Sequence, residues 1–296
     1  MPPGGLFLQD IPVQQNDHIL TLACPDSIGI VYHVSGFLFE RGCNIIDSQQ
    51  FGDEDTKLFF LRVHFSLPDG VGPGRVREEF AAIGERFGMS WQIHDAHRKQ
   101  RVMLMVSKHG HCLNDLLFRV KSGQLQIEIP AIVSNHPDFA LLSASYGIPF
   151  YHLPVQSGGK EQQERQVLQI VERERIDLVV LARYMQILSA GMCHALAGRA
   201  INIHHSFLPS FKGARPYHQA HARGVKLIGA TAHYVTAALD EGPIIEQGVL
   251  RVDHRMAPAD LARVGRDVES QTLSRAVQLH AESRVLMNGL RTVVFS

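Results

Sequence analysis

The amino-acid sequence predicts an α/β protein in two parts: a small βαββαβ module of the α+β kind, then a larger, doubly wound domain with a mostly parallel sheet. Three observations predict it. Over residues 18–93 the apolar period switches between two and 3.6 in the order strand, helix, strand, strand, helix, strand. A charged stretch, Asp95-Ala-His-Arg-Lys-Gln-Arg101, then interrupts the pattern. Beyond it, short apolar runs alternate with amphipathic segments, as parallel strands joined by crossover helices do. At 296 residues the chain also exceeds what one hydrophobic core usually holds.

In the first part, Ile19–Ala23 reads as a short apolar strand and Pro25-Asp26 opens a turn. Ile28, Val31, Val34, Phe37 and Leu38 recur at helical spacing and stop at Gly42, a residue suited to the position just past a helix end. Two strands follow, Ile45–Gln50 and Lys57–Phe65, around the polar turn Gly52–Asp55. A second helix spans roughly Arg75–Phe87, and Ser90–Ile93 makes the last strand. That order is ferredoxin-like, with both helices on one face of the sheet. In the second part, strands are expected at 102–106, 129–134, 150–153, 177–182 and 200–203. Helices are expected at 112–120, 139–146, 160–175 and 185–196. Such a sheet takes its ligands beyond the carboxyl ends of its strands. The expected divisions are a flexible tail at 1–16, the small module at 17–95, a linker at 96–101 and the large domain at 102–296.

Composition narrows the function. The chain is 45% hydrophobic and 20% charged, which is ordinary for a soluble globular protein. Lys+Arg and Asp+Glu both number 29, so no net field favours a nucleic acid or a membrane surface. No apolar run approaches the roughly 20 residues that cross a bilayer. The N-terminus, Met-Pro-Pro-Gly-Gly, lacks the basic and apolar regions of a secretory signal, and a cytoplasmic location is expected. The four cysteines, Cys24, Cys43, Cys112 and Cys193, stand far apart and read as reduced, buried thiols.

The chemistry concentrates in two segments. Asn202-Ile-His-His-Ser-Phe-Leu-Pro-Ser-Phe-Lys-Gly213 puts an amide, Asn202, and an imidazole, His204, two residues apart. On an extended strand both face one side, and a Pro- and Gly-bearing loop follows. Leu239-Asp-Glu-Gly-Pro-Ile-Ile245 delivers a carboxylate, Asp240, from a turn between two apolar runs. An Asn, a His and an Asp in one cleft can polarise a carbonyl, hold an oxyanion and position a water or an amine. That is acyl-transfer chemistry.

With these residues in view, 102–296 resembles the folate-dependent formyltransferase fold, through Asn202, His204, the Ser206–Gly213 loop and Asp240 before Gly242-Pro243-Ile244. Residues 18–95 resemble an ACT domain at Cys24-Pro-Asp-Ser-Ile-Gly29 and Gly42-Cys-Asn-Ile-Ile46. The two in this order look like the formyltetrahydrofolate deformylase family, to which Ser107-Lys-His-Gly-His-Cys-Leu113 is also similar. The resemblance implies a hydrolase acting on a linear amide C–N bond. Its substrate would be 10-formyltetrahydrofolate, which it splits to formate and tetrahydrofolate, supplying formate and balancing the one-carbon pool. It implies that Asn202 polarises the formyl oxygen, His204 stabilises the oxyanion and aids proton transfer to N10, and Asp240 holds the attacking water and accepts its proton, directly or through His204. Leu181–Leu188 would match the folate-binding stretch, with Arg183, Met185, Ile187 and Leu188 on one side and Thr236 and Leu239 on the other. No metal or other cofactor is implied. ACT modules commonly pair edge to edge and bind amino acids there, which implies a homo-oligomer and an effector site near Asp26, Gly29, Asn44 and Ile45.

The turn after the first strand of the large domain departs from the transferases of this fold, where a Gly/Ser/Asn-rich turn cradles a substrate phosphate. Here Ser107-Lys-His-Gly-His111 has one glycine and two bulky histidines, so water is the expected nucleophile. Lys108 and His109 could still meet an anion, which leaves a formyltransferase acting on an amine such as glycinamide ribonucleotide as the alternative. Other features have plainer readings. His205 and His233 read as packing beside the cleft or as supports of the residues that line it, and His218 and His221 as solvated surface. Cys112 reads as a buried thiol, and the Glu161–Arg175 charge run as the solvated face of a helix.

Overall fold

The computed structural model describes residues 16–156, 158–209 and 216–296. Most of the expected tail and Ser210–Gly213 of the loop after His204 therefore lie outside the described residues. The chain divides between Arg98 and Lys99, inside the charged stretch, into two compact units.

The first unit runs β1 (Asp17–Pro25), α1 (Ile30–Glu40), β2 (Asn44–Asp53), β3 (Leu58–Ser66), α2 (Pro73–Phe87) and β4 (Ser90–Asp95). Its antiparallel sheet has the order β2-β3-β1-β4, which is ferredoxin-like. Leu20, Leu22 and Cys24 of β1 alternate with residues of the sheet's other face, as do Leu61, Val63 and Phe65 of β3. These six meet Val34, Phe37 and Leu38 of α1 and Val76 and Phe80 of α2 in one core, so both helices lie on one face. Strand β2 is an edge, and most of its residues are exposed.

The second unit begins β5 (Gln100–Val106), α3 (His111–Lys121), β6 (Ile127–Ser134), α4 (Ala140–Ser145) and β7 (Phe150–His152). It continues with α5 (Lys160–Arg173), β8 (Leu178–Leu181), α6 (Ala190–Ala195), β9 (Ala200–His204), α7 (Pro216–Ala222) and β10 (Leu227–Tyr234). The chain closes with β11 (Ile244–Arg251), α8 (Pro258–Ala281) and the hairpin β12 (Val285–Asn288) and β13 (Arg291–Val294). Gln100 and Arg101, expected in the linker, are already β5, and the Arg101 amide donates to Asp177.

Seven strands form the large sheet in the order β11-β10-β9-β8-β5-β6-β7. The five from β9 to β7 are parallel, and β10 and β11 run antiparallel to their neighbours. Along β5, Val102, Leu104 and Val106 join one core while Met103 and Met105 join another. Strand β8 divides the same way, Leu178 and Val180 against Val179 and Leu181. Helices α3 and α8 cover the first face, and α5 and α6 the second. Apolar layers on both faces are what a buried parallel sheet requires. From β5 the chain winds first toward β7 and later, through β8, toward β9. The switch point therefore lies between β5 and β8, where ligands of such sheets bind.

One expected helix is largely absent. Of residues 185–196, only Ala190–Ala195 is helical. The Ser189 hydroxyl caps it by accepting from the Met192 amide, so the helix begins there. Residues 185–189 run as a loop whose amides are taken by side chains of other elements. The Met185 amide donates to Ser107 Oγ at 2.9 Å and the Ser189 amide to Glu164 Oε1 at 2.8 Å.

Candidate active site

Strand β9 carries Asn202 and His204 to its carboxyl end. It lies between β8 and β10, with Asn202 opposite Leu181 on one side and His233 on the other. Asp240 comes from the turn joining β10 to β11. That turn is pressed onto β10: the Tyr234 amide donates to the Pro243 carbonyl at 2.9 Å, and a Cβ on Gly242 would collide with the Tyr234 carbonyl. Asp240 itself has φ +56°, left-handed backbone that Asp adopts more readily than most residues.

The structure gathers the three residues. Asp240 Oδ2 stands 3.2 Å from His204 Nδ1, and its Oδ1 stands 3.7 Å from His233 Nε2. Asn202 Nδ2 stands 3.3 Å from the same His233 Nε2, while His233 Nδ1 donates to the Tyr234 carbonyl at 2.9 Å. Of the two readings of His233 the supporting one holds, since its Nε2 stands beside both the amide and the carboxylate. Only its sequence distance from Asn202 hides this. Hydrogen bonds from His204 and then His233 hold the Asp240 carboxyl far below the usual carboxylate range. It is a carboxylate throughout the physiological range and a weak proton acceptor. His204 is 5% exposed, and its Nε2 makes no hydrogen bond among the described residues, so that nitrogen faces the cleft ready for a ligand.

These groups face a cleft of about 420 Å³. All six residues expected at a folate line it: Arg183, Met185, Ile187 and Leu188 from the loop after β8, and Thr236 and Leu239 from the turn after β10. Met185, Ile187 and Leu239 expose apolar surface to it. The β8 loop is held from beneath. Ser107 Oγ accepts from Met185 and donates to Asn135 at 2.7 Å, and Gln163 donates to the Tyr184 hydroxyl at 2.9 Å. Gln163 and Glu164 are 5% and 6% exposed, which corrects the reading of 161–175 as a purely solvated face. Two of its polar residues point inward because the loop has amides and a phenol to satisfy.

A second polar cluster stands beside the first. Glu269 of α8 is 1% exposed. Its Oε1 accepts from the Tyr217 hydroxyl at 2.7 Å, and its Oε2 lies 2.7 Å from His111 Nε2 and 3.4 Å from Arg183 Nε. Burial pushes the Glu269 carboxyl up, but His111, Arg183 and Tyr217 together bring it below its ordinary value. Sequence reasoning missed Glu269, Tyr217 and His111, because a glutamate inside a long helix carries no local sign of burial. Among the described residues, His111, Cys112 and Glu269 also form the one His/Cys/carboxylate grouping with ligand atoms within 4.8 Å of one another. Its chemistry suits a metal poorly. Burial pushes the Cys112 thiol far up, away from the thiolate a metal needs, and the Arg183 cation already pairs with Glu269. His109 is pulled down by burial and then by the Arg183 charge. Burial, and after it Arg183, brings His205 down to about 4. His218 and His221 are exposed, as expected of solvated residues.

In the first unit the four expected effector residues do not share one pocket. Pro25, next to Asp26, pairs with Leu58, which also pairs with Asp53. Asn44 pairs with Ser66, which also pairs with Asp17. Asp26 and Gly29 thus stand at one end of the sheet, and Asn44 and Ile45 at the other.

The formyl transferase family matches residues 100–277, the part that carries this site. Formyltetrahydrofolate deformylase of Corynebacterium sp. (strain P-1) is 50% identical over 95% of this chain and 99% of its own. The crystal structure of formyltetrahydrofolate deformylase from Burkholderia mallei ATCC 23344 is 55% identical, with a TM-score of 0.92 over 95% of this chain and 100% of that one. Glycinamide ribonucleotide transformylase 1 from Symbiobacterium toebii is 29% identical, with a TM-score of 0.64 over 69% of this chain and 97% of its own. The transformylase covers 69% of this chain whereas the two deformylases each cover 95% of it, and the chain belongs to the formyltetrahydrofolate deformylase family.

Proposed function

We propose that this chain hydrolyses 10-formyltetrahydrofolate to formate and tetrahydrofolate. One observation carries the reading. An amide, an imidazole with a free nitrogen and an ionised carboxylate share one wall of a cleft whose remaining walls are largely apolar. A flat, mostly apolar pterin suits such walls, and Met185, Ile187, Leu188 and Leu239 would hold it, with Arg183 and Thr236 at the polar margin. The Asn202 amide donates to the formyl oxygen. Water adds to the formyl carbon, and the oxyanion that forms is stabilised by Asn202 and His204. The C–N10 bond breaks as N10 takes a proton, and formate leaves. Asp240 is too weak a base to be the final acceptor, so it orients His204 and the water while His204 Nε2 carries the proton. The folate is substrate, and no step asks for a metal or nucleotide.

The same proposal covers the first unit. Its ferredoxin-like sheet and free β2 edge support an ACT-type module that pairs with a second copy. Because the two effector pairs stand at opposite ends of one sheet, an amino acid would meet Asp26 and Gly29 of one copy with Asn44 and Ile45 of the other.

The test is a product assay on the purified protein with 10-formyltetrahydrofolate, with and without glycinamide ribonucleotide. Formate should appear at the same rate in both, and Asp240→Asn should lower kcat by about 10²–10³ or more with the fold retained. Turnover only in the presence of the amine, with the formyl group found on it, would make the chain a transferase.

A further inference from the structure

The hydrolytic step uses one face of the cleft and leaves a buried ion cluster beside it without a task. Four elements supply that cluster: His111 from the start of α3, Arg183 from the loop after β8, Tyr217 from α7 and Glu269 from α8. Fold stability does not account for it, since an apolar cluster of similar volume often serves a core as well or better. The helix is shaped to allow it. Gly265 lies one turn before Glu269, and a Cβ there would collide with the ring and hydroxyl of Tyr217. Lacking one, α8 lets the ring cross and reach Glu269. The turn that carries His111 is equally constrained, because a Cβ on Gly110 would collide with the Phe139 ring.

The cluster borders the reacting centre. Arg183 lines the same cleft as Asn202, His204 and Asp240. The His205 ring stands 5.2 Å from that of His204 and 6.2 Å from that of Tyr217, linking the two groups. The apolar walls suit the pterin and Asp240 orients the water, so the polar margin of Arg183 and His205 is the side left for a nucleophile larger than water. Hydrolysis and formyl transfer both form one bond to the formyl carbon and break its bond to N10, which takes a proton. They differ only in whether a water oxygen or an amine nitrogen supplies the electron pair and gives up the proton. The choice is therefore made at this margin.

We infer that Glu269 sets the nucleophile: it ties His111, Tyr217 and Arg183 into one wall that leaves no seat for an amine acceptor, and water alone reaches the formyl carbon. The excluded class is a primary amine borne on a phosphorylated sugar, the acceptor named in the transformylases of this fold. Glu269, His111 and Tyr217 are specificity residues here and touch no reacting atom. The inference rests on the hydrolase reading.

The experiment follows the formyl group in His111→Ala, which opens the wall, and in Glu269→Gln, which keeps its shape but removes the charge that holds it. Each is given 10-formyltetrahydrofolate and either glycinamide or glycinamide ribonucleotide, and formate and formylated amine are quantified by mass spectrometry. Wild type should give formate alone. The variants should pass formyl to one of the amines, raising the ratio of formylated amine to formate by about tenfold or more over wild type. A merely structural role would lower both products together and leave that ratio unchanged. Formate alone from variants that still hydrolyse would overturn the inference. Loss of all turnover in a folded variant would overturn it equally, by putting the cluster in the chemistry itself. Transfer by wild type would instead overturn the hydrolase reading, a distinguishable result.

Discussion

His205 stands between the two polar clusters, and its surroundings decide its charge. Burial first, and the Arg183 cation second, bring its pKa from 6.5 down to about 4. Between those values the unfolded chain binds a proton there and the folded chain does not. Stability therefore falls as pH is lowered from about 6.5 to about 4, and returns as it is raised. Asp240 and Glu269 act elsewhere on the scale. Their carboxyls are held low, so what they contribute is present above the ordinary carboxylate range and is lost only at lower pH. His94 and His109 are also pulled down, chiefly by burial, and share the slope. Thermal melts of wild type from pH 7 to 4 should show the midpoint dropping, and His205→Asn should show a shallower drop. An equal slope in the variant would mean that His205 keeps an ordinary pKa and that other groups carry the effect.

Among the elements, the loop after β8 shows what local sequence can and cannot convey. Strand β9 is legible because period two puts Asn202 and His204 on one side, and Asp240 is legible through the Gly242-Pro243 turn that follows it. The apolar run at 185–188 is legible as a wall of the cleft but not as a loop, since its spacing suits a helix equally well. What decides is tertiary: Ser107 and Glu164 take the amides that a helix would have used. Glu269 and Tyr217 are illegible for a related reason, because burial of a polar residue depends on partners 52 and more positions away. The loop's dependence on α5 can be measured. Glu164→Ala leaves the Ser189 amide without its acceptor at a cost of about 1–3 kcal/mol. That loss falls on the wall proposed for the folate, away from Asn202, His204 and Asp240. We expect KM for 10-formyltetrahydrofolate to rise by about tenfold with kcat much less changed, and Glu164→Gln, which keeps a carbonyl oxygen, to restore most of it. A fall in kcat at constant KM would show that the loop supports the chemistry and not the binding.

At the scale of the whole molecule, the two units are built on separate cores. The ferredoxin-like unit closes around Phe80, which is fully buried and meets the rings of Phe37 and Trp91 edge-on with centroids 5.2 and 4.9 Å away. The second unit has its own layers on the two faces of its sheet. Chains assembled in this way commonly lack a single unfolding transition, since each core can be lost without the other. A lesion in one core then tests the division directly. Phe80→Ala removes a ring from a closed interior at a typical cost of about 3–5 kcal/mol. For a unit of this size that lowers its midpoint by roughly 10 °C or more, if it folds at all. Calorimetry should therefore show two transitions in wild type. In Phe80→Ala one should be displaced or lost, while the other keeps its midpoint and the protein still releases formate below it. A single transition that moves as a whole would show that the units melt together. The first unit would then be part of the catalytic unit's stability, and any effector bound there would act through that shared stability.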